Sequence, residues 1–383
     1  MKFTGALAFD EDKGFSHKDV CFENGFFTQS KSDNITVNVA DHWILPGLCD
    51  IHLHGAAGFD FSDGTYEALS QILKYEAQCG ITAVTPASMT MDEDVILKAM
   101  KNAGSYQQED DAATFAGVYM EGPFISPKKC GAQDPKHVKV PSLEFFNKCQ
   151  SASQNKIKFV TVAPEDTNAV NFIRQASESV RISIAHTACS YDEAVSAFCS
   201  GARQLTHLYN AMPTLNSRAP GPIGAGFDYE ADAELITDGV HVHQSSVRAA
   251  FKLFGRDHIV MISDSMRATG LQNGTYTLGG QEVTVLENEA RLKDGTIAGS
   301  VTNLFECMRH AVLKMRIPLV DAVRACAVNP RRILGLYPQQ GLLGEHAEAT
   351  FVVCGKYFDI KAVILRGRII RGKDFIKEHK ISK

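Results

Sequence analysis

Two histidines spaced two residues apart, His52 and His54, close an apolar run that passes through Leu45, Pro46, Leu48, Cys49 and Ile51. Side chains of an extended strand alternate between faces, so this spacing puts both imidazoles on one side and Ile51 and Leu53 on the other. Two imidazoles on one face are half of a metal site. The turn Gly55-Ala56-Ala57-Gly58 that follows sets the pair where a strand meets a loop. A His-x-His alone is equally a pair of polar residues on a solvated strand edge, so the meaning depends on what else ends a strand.

Four further residues do. Glu121 follows Gly117-Val118-Tyr119-Met120, His186 follows Ile182-Ser183-Ile184-Ala185, His207 follows Gln204-Leu205-Thr206, and Asp264 follows Ile259-Val260-Met261-Ile262-Ser263. Together these are four imidazoles and two carboxylates, a nitrogen and oxygen donor set suited to zinc or iron. So few protein ligands leave coordination positions open for water, and water on such a cation is a nucleophile near neutral pH. The histidines at 17, 42, 137, 243, 258, 310, 346 and 379 lie away from strand ends and read as surface or structural residues.

The elements that position these groups follow from periodicity. Residues 3–45 alternate short apolar runs with turns, an all-β pattern. After Gly47 the order becomes strand, loop, helix, repeated, and a helix over 66–78 has Leu69, Ile72, Leu73 and Ala77 on one face. Eight strand candidates separated mostly by helices predict an α/β fold, a (β/α)8 TIM barrel, in which strand C-terminal ends converge on one mouth. An open doubly wound sheet is the competing architecture. A β-like excursion over 275–285, helices over 302–313 and 319–327, and strands over 349–354 and 362–370 follow. The two termini pair most simply into a small β-sandwich domain, 1–47 with 345–383, flanking a barrel of 48–344.

Composition narrows the function classes. A 383-residue chain with 44% hydrophobic residues is long enough to bury a sizeable core, and a net charge of −5 attracts neither nucleic acid nor an anionic membrane. The one basic stretch, 366–383, also holds Asp374 and Glu378 and reads as a solvated end. The start has no secretory pattern and no run spans a bilayer, so a cytoplasmic protein is expected. The ten cysteines show no CxxC, and Cys49, Cys199, Cys326 and Cys354 lie in apolar stretches as small buried free thiols would.

The motifs Pro46-Gly47-Leu48-Cys49-Asp50-Ile51-His52-Leu53-His54-Gly55, Met120-Glu121-Gly122-Pro123-Phe124, Ala185-His186-Thr187, Thr206-His207-Leu208-Tyr209-Asn210-Ala211-Met212, Asp238-Gly239-Val240-His241 and Ser263-Asp264-Ser265-Met266 run in order along nearly the whole chain. The set resembles the N-acetylglucosamine-6-phosphate deacetylases of the amidohydrolase superfamily. Asn-Ala-Met shortly after the sixth-strand histidine, with Glu-Gly-Pro-Phe on the third strand, is specific to that family. The resemblance implies hydrolysis of the acetamide of a sugar 6-phosphate, in amino-sugar catabolism, to acetate and the free amine. It implies one metal on Glu121, His186 and His207 and a second on His52 and His54, with Glu121 and Asp264 shared or nearby. The ion would be zinc or iron, one or two per subunit, and retention of both first-strand histidines favours two.

Asp264 would take the proton of the attacking water and pass it to the leaving nitrogen. The substrate pocket carried over is Ala132, Gln133, Asn210, Ala211, Arg218, His241 and the backbone near Ile297, Ala298 and Gly299. Arg218 and His241 would bind the phosphate, for which a guanidinium fork is well shaped, and the family's arginine comes from the neighbouring subunit of a homodimer. Some members have His where this chain has Gln133, so no imidazole role carries over there. Three alternatives remain: an amidohydrolase of cyclic amides, the N-acetylgalactosamine 6-phosphate epimer, and a catalytically silent sugar-phosphate-binding regulator. Many cyclic-amide enzymes bridge two metals with a modified Lys ending the fourth strand, but that end reads Val162-Ala163-Pro164-Glu165. A silent binder has no need of Asp264 opposite a metal.

Overall fold

The structure, a computed structural model, describes residues 1–29 and 35–381. Its centre is a ring of eight parallel strands: β1 (Leu48–Leu53), β2 (Ile81–Ser88), β3 (Val118–Met120), β4 (Ile157–Val162), β5 (Arg181–Ile184), β6 (Ala202–Leu205), β7 (Asp232–Ile236) and β8 (Ile259–Ile262). Neighbours in sequence are neighbours in space from β1 through β8, the TIM-barrel order rather than that of an open sheet. Such strands are covered on both faces and so read as near-continuous apolar runs. Between β8 and β1 the ring is joined where the Asp264 N–H donates to the His52 carbonyl at 3.0 Å and Ser263 Oγ to Asp50 Oδ2 at 2.5 Å.

Cys49, Ile51, Ala83, Ala87, Tyr119, Phe159, Ile236, Val260 and Ile262 fill the barrel. Tyr119 stacks on Phe159 with centroids 4.9 Å apart and on His52 at 4.5 Å, and its hydroxyl meets Thr206 Oγ1 at 2.9 Å. The mouth thus has a close-packed floor. The helix Tyr66–Gln78 buries Leu69, Ile72, Leu73 and Ala77 as its periodicity predicts, and Thr65 Oγ1 caps it by accepting the Ala68 N–H at 3.2 Å. Helices Leu143–Ala152, Gly221–Asp228 and Gln244–Phe254 join the outer layer. Arg331, on the helix Asn329–Ile333, is fully buried and donates to the carbonyls of Gly47 at 2.6 Å and Leu48 at 3.2 Å and to Thr82 Oγ1 at 2.9 Å. Those bonds pin the start of β1.

The terminal segments form a sandwich. One five-stranded sheet holds Lys2–Thr4, Val20–Glu23, Phe26–Phe27, Thr36–Asn38 and Lys380–Ile381. A six-stranded sheet holds Leu7–Asp10, Gly14–His17, Trp43–Pro46, Phe351–Cys354, Ile360–Leu365 and Arg368–Arg371. Phe351 of the second sheet lies 5.2 Å from Phe3 and 5.7 Å from Phe22 of the first, ring centroid to centroid. The excursion after β8 is a three-stranded antiparallel sheet of Gly274–Leu278, Gln281–Leu286 and Glu289–Arg291.

One expectation is corrected and one sharpened. The basic C-terminal stretch is solvated at Arg368, Arg371, Lys373, Lys377 and Lys380 but is ordered: Arg366 donates to the carbonyls of Glu109 (3.0 Å), Asp110 (3.1 Å) and Ala112 (2.8 Å), and a strand and a short helix follow. Its last two residues, Ser382 and Lys383, lie outside the described residues. Cys199 is exposed, with its Sγ 3.1 Å from the Tyr229 hydroxyl, because it falls off the Ala194, Ala197, Phe198 face of the helix Tyr191–Ser200. Cys49, Cys326 and Cys354 are buried, and all ten thiols are free.

Candidate metal centre and substrate cleft

Each ligand-type residue sits where its strand stops and the chain turns. His186, His207 and Asp264 adopt left-handed backbone with φ of 43°, 30° and 49°, a conformation that turns a strand end sharply and costs an L-residue about 1–2 kcal/mol. Glu121 is followed by Gly122 at φ 76°, where a Cβ would lie 2.0 Å from Thr90 Oγ1. These turns swing His52, His54, Glu121, His186, His207 and Asp264 into one mouth.

Glu121 is at its centre. Its Oε1 lies 3.1 Å from Nε2 of both His186 and His207 and 3.6 Å from His52 Nε2, while its Oε2 lies 3.3 Å from His54 Nε2. Asp264 Oδ1 lies 3.2 Å from His54 Nε2 and 3.8 Å from His52 Nε2. The ligand atoms form two overlapping groups, His52, His54 and Glu121, and Glu121, His186 and His207, each within 4.8 Å.

The outer contacts of the rings decide what the inner atoms can do. His54 Nδ1 faces the Ala87 carbonyl at 3.3 Å, His186 Nδ1 the Lys129 carbonyl at 3.0 Å, and His52 Nδ1 the Glu234 carboxylate at 2.9 Å. All three partners only accept, so each Nδ1 carries a proton, and a ring holding that proton alone would turn its Nε2 lone pair inward. Inside the mouth these lone pairs meet carboxylate oxygens, and the Nε2 atoms of His186 and His207 stand 3.1 Å apart. A cation among them would satisfy the lone pairs of His52, His54 and His186 and the carboxylate oxygens together. His52 Nε2, His207 Nδ1 and Asp264 Oδ1 are buried with no hydrogen-bond partner. Nitrogen and oxygen donors, three to a group with one shared carboxylate, fit a zinc- or iron-type divalent ion with positions left open.

Without an ion, protons must supply that positive charge. Burial alone would lower the His54 pKa, but the Asp264 and Glu121 carboxylates, 3.2 and 3.3 Å from its Nε2, raise it to about 10. Relative to an unfolded pKa near 6.5, the stability this group contributes is fully present below that value and is lost as pH rises through about 10. The metal-stripped protein should therefore melt at a lower temperature at pH 10 than at pH 7, and zinc should remove most of that dependence. Scanning calorimetry of stripped and reloaded protein across this range is the check; a stripped protein no less stable at pH 10 sinks the reading.

The cleft above the centre is lined by Ala132, Gln133, Asn210, Ala211, His241, Ile297 and Gly299 among the residues singled out in the sequence, with Met89, Leu278 and Thr296 added. Ala298 is fully buried beside it, its N–H donating to the Ala290 carbonyl at 2.9 Å. Arg218 does not line the cleft of its own chain. It is exposed on the segment between β6 and the helix Gly221–Asp228, and no carboxylate pairs with it among the described residues. Gln133 has one orientation: the Thr90 N–H donates to its Oε1 at 2.6 Å, so its amide donates to Glu121 Oε2 at 2.7 Å.

Two carboxylates went unread in the sequence. Asp238 Oδ2 accepts from His241 Nδ1 at 2.7 Å, a contact three residues apart that the Asp-Gly-Val-His spacing allows. Glu234 is a charge in the interior of β7, two residues after Asp232 at its start, and backs His52 across 182 residues of chain. A buried carboxylate in a strand interior is the signal that could have found it.

A family model described as the amidohydrolase family matches residues 43–370, and the chain belongs to that family. Its curated relatives include the N-acetylglucosamine-6-phosphate deacetylase of Bacillus subtilis (strain 168), 34% identical over 86% of this chain and 85% of the relative. The N-acetylgalactosamine-6-phosphate deacetylase of Escherichia coli O157:H7 is 30% identical over 85% of this chain and 87% of its own. Among solved structures, N-acetyl-D-glucosamine-6-phosphate deacetylase of Mycobacterium smegmatis, a variant in complex with N-acetyl-D-glucosamine-6-phosphate, is 28% identical and superposes with a TM-score of 0.90 over 97% of this chain and 99% of that one.

Proposed function

We propose that the protein hydrolyses the acetamide of N-acetyl-D-glucosamine 6-phosphate to D-glucosamine 6-phosphate and acetate, in amino-sugar catabolism. The observation that carries this reading is the convergence of His52, His54, Glu121, His186, His207 and Asp264 under a cleft lined by the family-specific Asn210 and Ala211. Glu121, His186 and His207 would hold one divalent ion, zinc or iron, and His52 and His54 with Glu121 and Asp264 a second. When bound, such an ion polarises the acetamide carbonyl and acidifies a coordinated water.

The chain's own groups do the rest. In the metal-free site burial tends to raise the Asp264 pKa, but the adjacent charged His54 and His52 rings hold it below the usual carboxylate range, and a cation held by those rings would favour the carboxylate in the same way. As a carboxylate it accepts the proton of the attacking water, then returns it to the amide nitrogen as the C–N bond breaks and the new C–O bond makes acetate. Burial would lower the His241 pKa, but the Asp238 hydrogen bond and charge raise it, favouring the cation that meets a phosphate dianion. Gln133 keeps Glu121 in place through its amide and moves no proton. Arg218, outside its own cleft, reaches the phosphate of a neighbouring subunit in a homodimer. A cytoplasmic location accords with ten unpaired cysteines.

The gluco epimer follows the Bacillus subtilis N-acetylglucosamine-6-phosphate deacetylase at 34% identity, while the N-acetylgalactosamine-6-phosphate deacetylase at 30% lies within the range of other gluco relatives, so assay decides between them. Acetate release from both N-acetylhexosamine 6-phosphates, with metal content measured on the same sample, is the test. A larger kcat/KM for the gluco substrate is expected. A larger galacto value would overturn the epimer, and no acetate from either by metal-loaded protein would overturn the reaction.

A further inference from the structure

Strand β7 sends no ligand into the mouth, yet its Glu234 is fully buried beside it. Glu234 Oε2 accepts from His52 Nδ1 at 2.9 Å and lies 3.4 Å from the backbone N–H of His207, so one carboxylate touches a member of each ligand group. Its Oε1 accepts from Gln204 Nε2 at 2.5 Å. Gln204 cannot turn over, because its Oε1 accepts the Arg181 Nε–H at 2.9 Å, and Arg181 is held by Asp232. The series Asp232, Arg181, Gln204, Glu234, His52 therefore runs from the starts of β5 and β7 to the mouth with every donor and acceptor assigned. Tyr119, stacked on the His52 ring, keeps its plane.

We infer that Glu234 is a positioning residue that fixes His52 as its Nδ1–H tautomer and thereby keeps the Nε2 lone pair available to a metal. The inference rests on reading the mouth as a metal centre. A glutamine side chain in place of Glu234 has nearly the same shape but one acceptor oxygen. The locked Gln204 amide takes that oxygen, which leaves the new NH2 facing His52 Nδ1. The proton is then driven to Nε2, into the position a cation needs. Exchanging the two residues, Glu234→Gln with Gln204→Glu, restores the direction of the series. The carboxylate now on β6 accepts from Arg181 and from the amide now on β7, and the oxygen of that amide again accepts from His52 Nδ1.

The test combines zinc titration of metal-stripped protein, against a competing chelator, with histidine 15N spectra recorded at a pH where the His52 ring has lost its second proton and is neutral. Glu234→Gln should weaken zinc binding at the His52 and His54 group by roughly 10- to 100-fold, show His52 as the Nε2–H tautomer, and recover both in the exchanged pair. Zinc binding by Glu234→Gln as tight as in the parent, or an exchanged pair no better than the single variant, overturns the inference. The parent protein decides the point even if the variants do not fold, because an Nε2–H tautomer at its His52 also overturns it. A parent that takes up no zinc while His52 remains Nδ1–H sinks the metal reading and leaves the hold of Glu234 on the ring intact.

Discussion

Asp264→Asn should lower kcat by roughly 10²–10⁴-fold, the range of general acid–base catalysis, while Glu121, His186 and His207 keep their metal. The substitution preserves shape and removes the proton acceptor. The position argues for chemistry because Asp264 keeps an unpartnered Oδ1 inside the mouth while three other ligand-type residues make a complete group without it. Its Oδ1 does stand 3.2 Å from His54 Nε2, so some loosening of a second ion at His52 and His54 is expected. Rate and metal content measured on one preparation separate the two effects. A near-normal rate at full metal content would show that another group carries the proton.

Arg218→Ala should reduce kcat/KM for the sugar 6-phosphate by roughly 10- to 100-fold, the worth of a hydrogen bond to a charged group, and leave unphosphorylated N-acetylglucosamine almost untouched. Arg218 is exposed and outside its own cleft, so we assign its effect on phosphate to a second subunit, which mixing tests. Mixing Arg218→Ala with a metal-group variant such as His207→Ala gives hybrid dimers. In those, the mouth that keeps its metal ligands receives an intact arginine from its neighbour. Activity should partly return on mixing. If none returns where subunits are shown to exchange, the arginine does not act across an interface.

The site was legible where a ligand-type residue follows an apolar run, because such a run ends at the barrel mouth whatever the loops do. His52, His54, Glu121, His186 and Asp264 have that form, while His207 follows the mixed stretch Gln204-Leu205-Thr206. What supports them was not legible, since the partner of His52 lies 182 residues away on a strand whose interior charge looks like noise. The helix Gly221–Asp228 was missed because its sequence, Gly-Pro-Ile-Gly-Ala-Gly-Phe-Asp, is a poor helix former and packing alone makes it helical. The helix Leu143–Ala152 did carry a signal, Ser142 accepting the Phe145 N–H as its cap with Phe145, Phe146 and Cys149 buried. Cys199 misled because neighbours along an apolar stretch are not neighbours on a helix face.

The left-handed turns at His186, His207 and Asp264, with Tyr209 and Ala211 at φ 79° and 51° beside them, bear on how such a protein tolerates change. At about 1–2 kcal/mol each, their sum rivals the roughly 5–15 kcal/mol net stability of an ordinary domain. The sandwich, the filled barrel floor and the Arg331 lock at the start of β1 must offset it. Selection for thermal resistance alone would push these five positions toward glycine or asparagine, which adopt the turn easily, and three of those replacements would erase the chemistry. A stabilised descendant of this chain that still works is therefore expected to gain its added stability far from the rim, leaving the strained residues as they are.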